Sequence, residues 1–117
     1  MKDLEQQVTK DIESAKVRFR KPMRVVKLYE SFFEEYPKLL EKARLEATDK
    51  NYDELIITFH TLKGSASNIE MTLISETSKA LEDKAKVKDD GFDFIKELYT
   101  LKRYGKIYED KIKNIII

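Results

Sequence analysis

The stretch NYDELIITFHTLKGSASNI, residues 51–69, decides how this chain is read. It holds the only histidine, His60, inside an apolar pattern of helical spacing. An α-helix turns about 100° per residue. With His60 at the origin, Leu55, Leu62 and Ala66 fall at about 200–240°, Phe59 near 260° and Ile69 near 180°. These residues predict a stripe facing the core, and His60 points roughly the opposite way. Lys63 and Ser67 lie on one flank of it; Gly64 lies on the other, one turn away. Ile56 and Ile57 fall at about 40° and 60° to either side. Large aliphatics gathered around one exposed polar group have the pattern of a docking surface. Gly64 costs about 1 kcal/mol relative to alanine in a helix. Its missing side chain leaves room for another molecule to approach the backbone.

Outward from this segment the chain continues to read as helix. Residues 3–18 carry Leu4, Val8, Ile12 and Ala15 at three- to four-residue spacing, a short helix that RFRKPMR interrupts. Pro22 suits the first turn of the next helix, where its missing N–H is not needed. Residues 22–47 show an apolar stripe through Val25, Val26, Tyr29, Phe32, Phe33, Tyr36, Leu39, Leu40 and Ala43. Pro37 lies within that stripe and is expected to loosen one turn. Thr48, Asp49 and Asn51 are candidate N-caps for the helix that follows. Residues 72–88 form another helix, with Ile74, Thr77, Ala80, Leu81 and Ala85 on one side. KDDGFD is a turn in which Gly91 supplies backbone freedom. Residues 92–112 form the last helix, using Phe92, Ile95, Leu98, Leu101 and Ile107. Long helices joined by short loops pack as antiparallel neighbours, so an all-α bundle is expected, as one domain over residues 1–117. The tail NIII is unusually apolar and is expected to pack on the bundle, mediate association or mark a cut from a longer chain.

Composition narrows the function classes. The chain has 117 residues, 38% of them charged, and a net charge of +1, which argues against a nucleic-acid stripe. There is no cysteine, so disulfides and thiolate metal sites are excluded, and the absence fits a reducing cytoplasm. No apolar run approaches the roughly 20 residues that span a bilayer, and the acidic start is not a signal peptide. No membrane insertion is expected. Asp49, Asn51 and Asp53 have the opening of a calcium loop, but Glu54 stands at its sixth position and His60 at its twelfth, so that reading fails. A metal site would have only carboxylates to join the single histidine, and none is expected. Nothing marks a nucleophile elbow or oxyanion hole for Ser-His-Asp catalysis.

Nucleophilic chemistry at phosphorus fits the pattern best. Imidazole as a class titrates at about 6.5, so a neutral ring nitrogen is available near neutral pH. Lys63 stands one turn away to neutralise the negative charge of a phosphoramidate. Each residue also has a plainer reading. An isolated exposed histidine is most often only a surface residue. Lys63 alone is a solvated charge, Gly64 alone a close helix contact, and Ile56 and Ile57 alone residues covered by the N-terminal helix or a dimer.

Taken together, HTLKGSASNIEMTLISETSKALEDKAK resembles the signature of histidine-containing phosphotransfer (HPt) domains. His60, Leu62, Lys63, Gly64, Ser65, Ala66, Asn68, Ile69, Leu81 and Glu82 match that pattern. The preceding YESFFEEYPKLLEKARLEATDKNYDELIITFH is similar to the family's preceding helix, and the resemblance covers roughly residues 10–110. It implies an antiparallel four-helix bundle with a short extra N-terminal helix. It implies a cytoplasmic phosphocarrier, not an enzyme in its own right. His60 would take a phosphoryl group from the aspartate of one response-regulator receiver domain and pass it to another. Lys63 would stabilise that group and Gly64 would permit docking. Glu82 would hold the imidazole Nδ1–H, and Lys79 and Lys86, on either side of it, would face the same patch. Sensor or hybrid histidine kinases are the further partners implied. Mg²⁺ belongs to the receiver, so no cofactor is expected here.

Two positions depart from the family pattern. Ser67 stands where glycine is common, and its hydroxyl is placed to meet phosphate. Glu70 stands where glycine serves a positive-φ turn, and puts the geometry of that turn in question. Two alternatives carry different functions: a helical adaptor that binds a receiver or kinase without phosphate, and the phospho-accepting domain of a chemotaxis-type or hybrid histidine kinase cut from its catalytic parts.

Overall fold

The computed structural model describes residues 2–116, with side chains from Asp3 to Asn114. Five helices follow one another: α1 (Lys2–Phe19), α2 (Pro22–Thr48), α3 (Tyr52–Asn68), α4 (Thr72–Lys86) and α5 (Phe94–Ile116). There is no strand among the described residues. α2, α3, α4 and α5 close into a ring, each packing on its two neighbours, and α1 lies against α2, α4 and α5. The short turns between α2, α3 and α4 make those neighbours antiparallel. No described helix is long and apolar enough to cross a membrane. The expectation for the apolar tail rests on the side chains of residues 115–117, which lie outside the described side chains.

The predicted stripe of α3 is the buried one: Leu55, Phe59, Leu62 and Ala66 are fully buried and Ile69 nearly so. Pro22 occupies the first turn of α2, and the Asn51 side chain caps α3 by accepting from the Glu54 N–H at 3.4 Å. α2 continues as helix through Pro37, which lies on its exposed side. α4 differs from its predicted face. Its buried residues are Ile74, Ser78, Leu81, Glu82 and Ala85, while Ala80 is exposed. The true stripe contains two polar side chains, which a search for apolar spacing passes over. α5 starts at Phe94, where the Asp93 carboxylate accepts from the Lys96 N–H, so Phe92 lies in the loop.

Helix ends are made without glycine. Arg20, Lys50, Glu70 and Lys88 all have positive φ, between 53° and 66°, and no glycine does. The turn that Glu70 put in question keeps its left-handed geometry. The Met71 N–H reaches the Ala66 carbonyl at 2.9 Å and the Glu70 N–H the Ser67 carbonyl at 3.1 Å, a Schellman closure. A left-handed non-glycine residue costs about 1–2 kcal/mol, and Arg18 partly offsets this by pairing with Glu70 at 2.9 Å. In the α4–α5 loop Lys88, not Gly91, takes the positive φ.

α1 is the extra N-terminal helix expected over residues 3–18, and at 18 residues it is longer than α3 or α4. It buries Val8, Ile12 and Ala15 completely, and Asp11 beside them is 3% exposed. Asp11 accepts from the Thr72 N–H at 2.8 Å, from the Thr72 hydroxyl, from Gln7 and from the Tyr108 hydroxyl. That hydroxyl in turn accepts from the Leu73 N–H at 3.1 Å. Met71, at the N-cap of α4, offers no side-chain cap. Two of the free N–H groups at the start of α4, those of Thr72 and Leu73, are therefore satisfied by α1 and α5. Burial and the neighbouring Asp11 push the Tyr108 phenol well above its ordinary pKa. Asp11→Ala leaves these buried donors without acceptors, so a loss of roughly 2–4 kcal/mol is expected in denaturant unfolding.

Candidate functional site

α3 holds His60 on its outer face because Phe59 and Leu62, on either side in sequence, are anchored in the core. The imidazole is 65% exposed, and its Nδ1 lies 3.3 Å from Oε2 of Glu82 on α4. Glu82 is 5% exposed, an uncommon setting for a carboxylate. Lys86 Nζ lies 3.3 Å from its Oε2, and Lys63 Nζ 3.7 Å from its Oε1. Oε1 accepts no hydrogen bond. Burial pushes the Glu82 carboxyl up, but Lys86, Lys63 and the hydrogen bond from His60 together outweigh it. The net pKa is below the ordinary carboxylate value.

An ionised carboxylate only accepts hydrogen bonds. The nitrogen facing it must therefore carry the proton, so the neutral ring has Nδ1–H toward Glu82 and an unprotonated Nε2. The exposed ring presents that second nitrogen to solvent. The arrangement holds one nitrogen and leaves the other free for nucleophilic attack.

The remaining candidate residues divide. Lys86 joins the Glu82 cluster, whereas Lys79 pairs with Asp83 at 3.4 Å. Ser67 is exposed on the outer side of α3. Ile57 is 56% exposed, while Ile56 is half-buried and packs on the core. Only Ile57 therefore stands beside His60 as an exposed aliphatic. A Cβ built on Gly64 would meet nothing within 4 Å, which removes the reading of this glycine as a helix–helix contact.

One nearby feature had gone unread in the sequence. A cleft of about 280 Å³ runs between α2 and α3, lined by Leu28, Phe32, Leu39, Ser65 and Asn68 among others. The offset of Ser65 and Asn68, about 140° and 80° from His60 toward the Gly64 flank, was its only sequence signal. A larger cleft of about 710 Å³ lies between α2 and α5 and takes no residue from the His60 cluster. His60 itself lines neither. A nucleophile on an open helix face, outside both clefts, suits a macromolecular partner that brings its own pocket. Among the described residues no group of three or more histidine, aspartate or glutamate side chains gathers as a metal site.

A family model described as the Hpt domain matches residues 27–103, from α2 into α5. No curated protein and no solved structure matches the chain.

Two outcomes follow from the geometry. Gly64→Ala fills open space on a helix, so it raises stability by about 1 kcal/mol, read as a higher denaturation midpoint. Glu82 has a folded-state pKa below its unfolded value. Its stabilisation is present above the ordinary carboxylate pKa and is lost as pH falls through the lower folded value. Denaturant unfolding should therefore show Glu82→Gln less stable than the parent at pH 7, the gap closing in strong acid.

Proposed function

The chain belongs to the Hpt domain family, the phosphotransfer domains of two-component signalling, and from that membership we propose that His60 is its phosphoryl-carrying residue. In this reading it accepts the group from a receiver-domain aspartate and passes it to another. The observation that carries the proposal is the 3.3 Å contact from His60 Nδ1 to a buried, ionised Glu82, beneath a ring that is 65% exposed.

The Nε2 lone pair attacks the phosphorus of an aspartyl phosphate. As the N–P bond forms, the P–O bond to the aspartyl carboxyl breaks, and its electron pair leaves with the receiver's carboxylate. No proton has to move. Nδ1 keeps its hydrogen, and Glu82 offsets the positive charge that the ring gains. Lys63 and Lys86, with 31% and 54% of their side chains exposed, are able to turn from Glu82 to the phosphoryl oxygens. The open ground over Gly64 and the exposed Ile57 form the seat for the receiver. Ser67 and Lys79 lie toward its edge: Ser67 on the outer side of α3, and Lys79 held by Asp83. Mg²⁺ and the activation of the phosphoryl group belong to the receiver. The chain is thus a phosphocarrier whose own contribution is a positioned nucleophile.

Incubation with a phosphorylated receiver should place an acid-labile, base-stable phosphate on the protein, and His60→Gln should carry none. Label that persists in His60→Gln overturns the assignment. Glu82→Gln loses a charge-assisted hydrogen bond and is expected to slow transfer roughly 10- to 100-fold while leaving His60 as the labelled residue.

A further inference from the structure

The net charge of +1 conceals a strong asymmetry. Residues 16–27, KVRFRKPMRVVK, hold six of the 23 basic residues and none of the 22 acidic ones. The rest of the chain is therefore net negative. The nearest acids along the sequence are Glu13 and Glu30. This segment forms the elbow between α1 and α2, where Arg20 has φ 66° and Lys21 is extended. Lys16 pairs with Glu13 and Arg18 with Glu70. Arg20, Lys21, Arg24 and Lys27 are exposed, and none forms an ion pair with a described carboxylate. Between these cations stand two exposed apolar side chains, Val17 at 80% and Met23 at 62%. Val17 lies opposite the buried face of α1, so core packing does not account for it. Nearly all of the segment precedes the family match, which begins at residue 27.

We propose that the α1–α2 elbow is a docking site for an anionic phospholipid surface, its cations meeting the headgroups while Val17 and Met23 enter as shallow apolar anchors. Basic side chains interleaved with protruding aliphatics are the chemistry of peripheral membrane adsorption. The competing ligands fit less well. The clefts along α2–α5, α2–α3 and α1–α5 take no lining from residues 16–27, so none of these three would seat an acidic peptide at the elbow. Nucleic-acid surfaces of this kind pair cations with stacking aromatics, whereas Phe19, the only aromatic here, is half-buried with Arg18 over its ring. Docking leaves His60 free. The elbow meets the α3–α4 turn through Arg18 and Glu70, and His60 lies about 12 Å back along α3 from the helix end. Adsorption without spanning would hold the carrier near membrane-bound partners and raise its effective concentration there.

Co-sedimentation tests the proposal. The protein should pellet with vesicles of phosphatidylglycerol and phosphatidylcholine, not with phosphatidylcholine alone, and raised salt should release it. Each cation replaced should lower partitioning about fivefold, so the triple change Arg20→Gln, Lys21→Gln and Arg24→Gln should lower it on the order of a hundredfold. Val17→Ser with Met23→Ser should weaken binding at unchanged charge. Circular dichroism checks that each variant is folded, and the salt series on the unaltered protein stands even if one is not. Equal binding to both vesicle types, or binding that ignores salt, overturns the proposal. So does tighter binding to polyglutamate or duplex DNA, or no loss in a folded Val17/Met23 variant.

Discussion

Glu82 is a carboxylate with 5% of its surface exposed, set on the seam between α3 and α4. Burying a charge is expensive unless partners compensate it. Here the compensation comes from Lys86 on its own helix, and from Lys63 and His60 across the seam. The seam therefore has only a narrow range of workable registers. Sliding α4 by one residue would carry Glu82 about 100° around the helix, away from Lys63 and His60 on α3. That register is anchored at the other end of α4 by Asp11 and Tyr108, which close its first turn from α1 and α5. A line of dependence runs from α1, through the start of α4, to the orientation of one imidazole.

The same contacts admit a purely structural reading, in which Glu82 simply ties two helices together. Energetics weigh against it. Buried ion pairs are often no more stabilising than well-packed apolar residues of the same size. This one is not even fully satisfied, since Oε1 has no hydrogen-bond partner. A seam selected for stability alone would favour a leucine at this position. A seam that must fix a tautomer, and still release its lysines to an incoming anion, would keep a carboxylate with a loosely held oxygen.

What the sequence made legible follows from where information is local. The face of α3 was readable because its core residues are all apolar and its one histidine stands apart from them. The face of α4 was misread because Ser78 and Glu82 occupy core-facing positions and look like solvent residues in a hydropathy pattern. The helix ends were obscured for a similar reason. Lys50, Glu70 and Lys88 take left-handed geometry with no glycine to announce it, while Gly91, the expected signal, does not use its freedom. The weight borne by α1 was invisible because Asp11 and Thr72 are 61 residues apart, and no local rule joins them. The roles proposed for Glu82, Lys79 and Lys86 were reached only through resemblance to a family. Spacing alone supplied an exposed imidazole with a lysine beside it, open ground at Gly64, and chemistry at phosphorus as the reading that fits them.

The two glycines within helices show how the fold and its partner divide the demands on one chain. Gly105 is buried on α5, and a Cβ there would lie 2.6 Å from the Tyr36 ring on α2. Its small size is required by the molecule's own packing, which also lets the Tyr36 hydroxyl donate to the Leu101 carbonyl. Gly64 faces open space, and nothing in the chain demands it. Each lowers helix propensity by about the same amount, yet only the cost at Gly105 is recovered within the fold. The cost at Gly64 finds no such return inside the fold, and the proposed function supplies one, an occupant from outside the chain beside His60. Under the proposed function that occupant is the receiver, which has to bring its phosphorus to the exposed His60 ring, and the open space over Gly64 is then a demand of the complex more than of the isolated bundle.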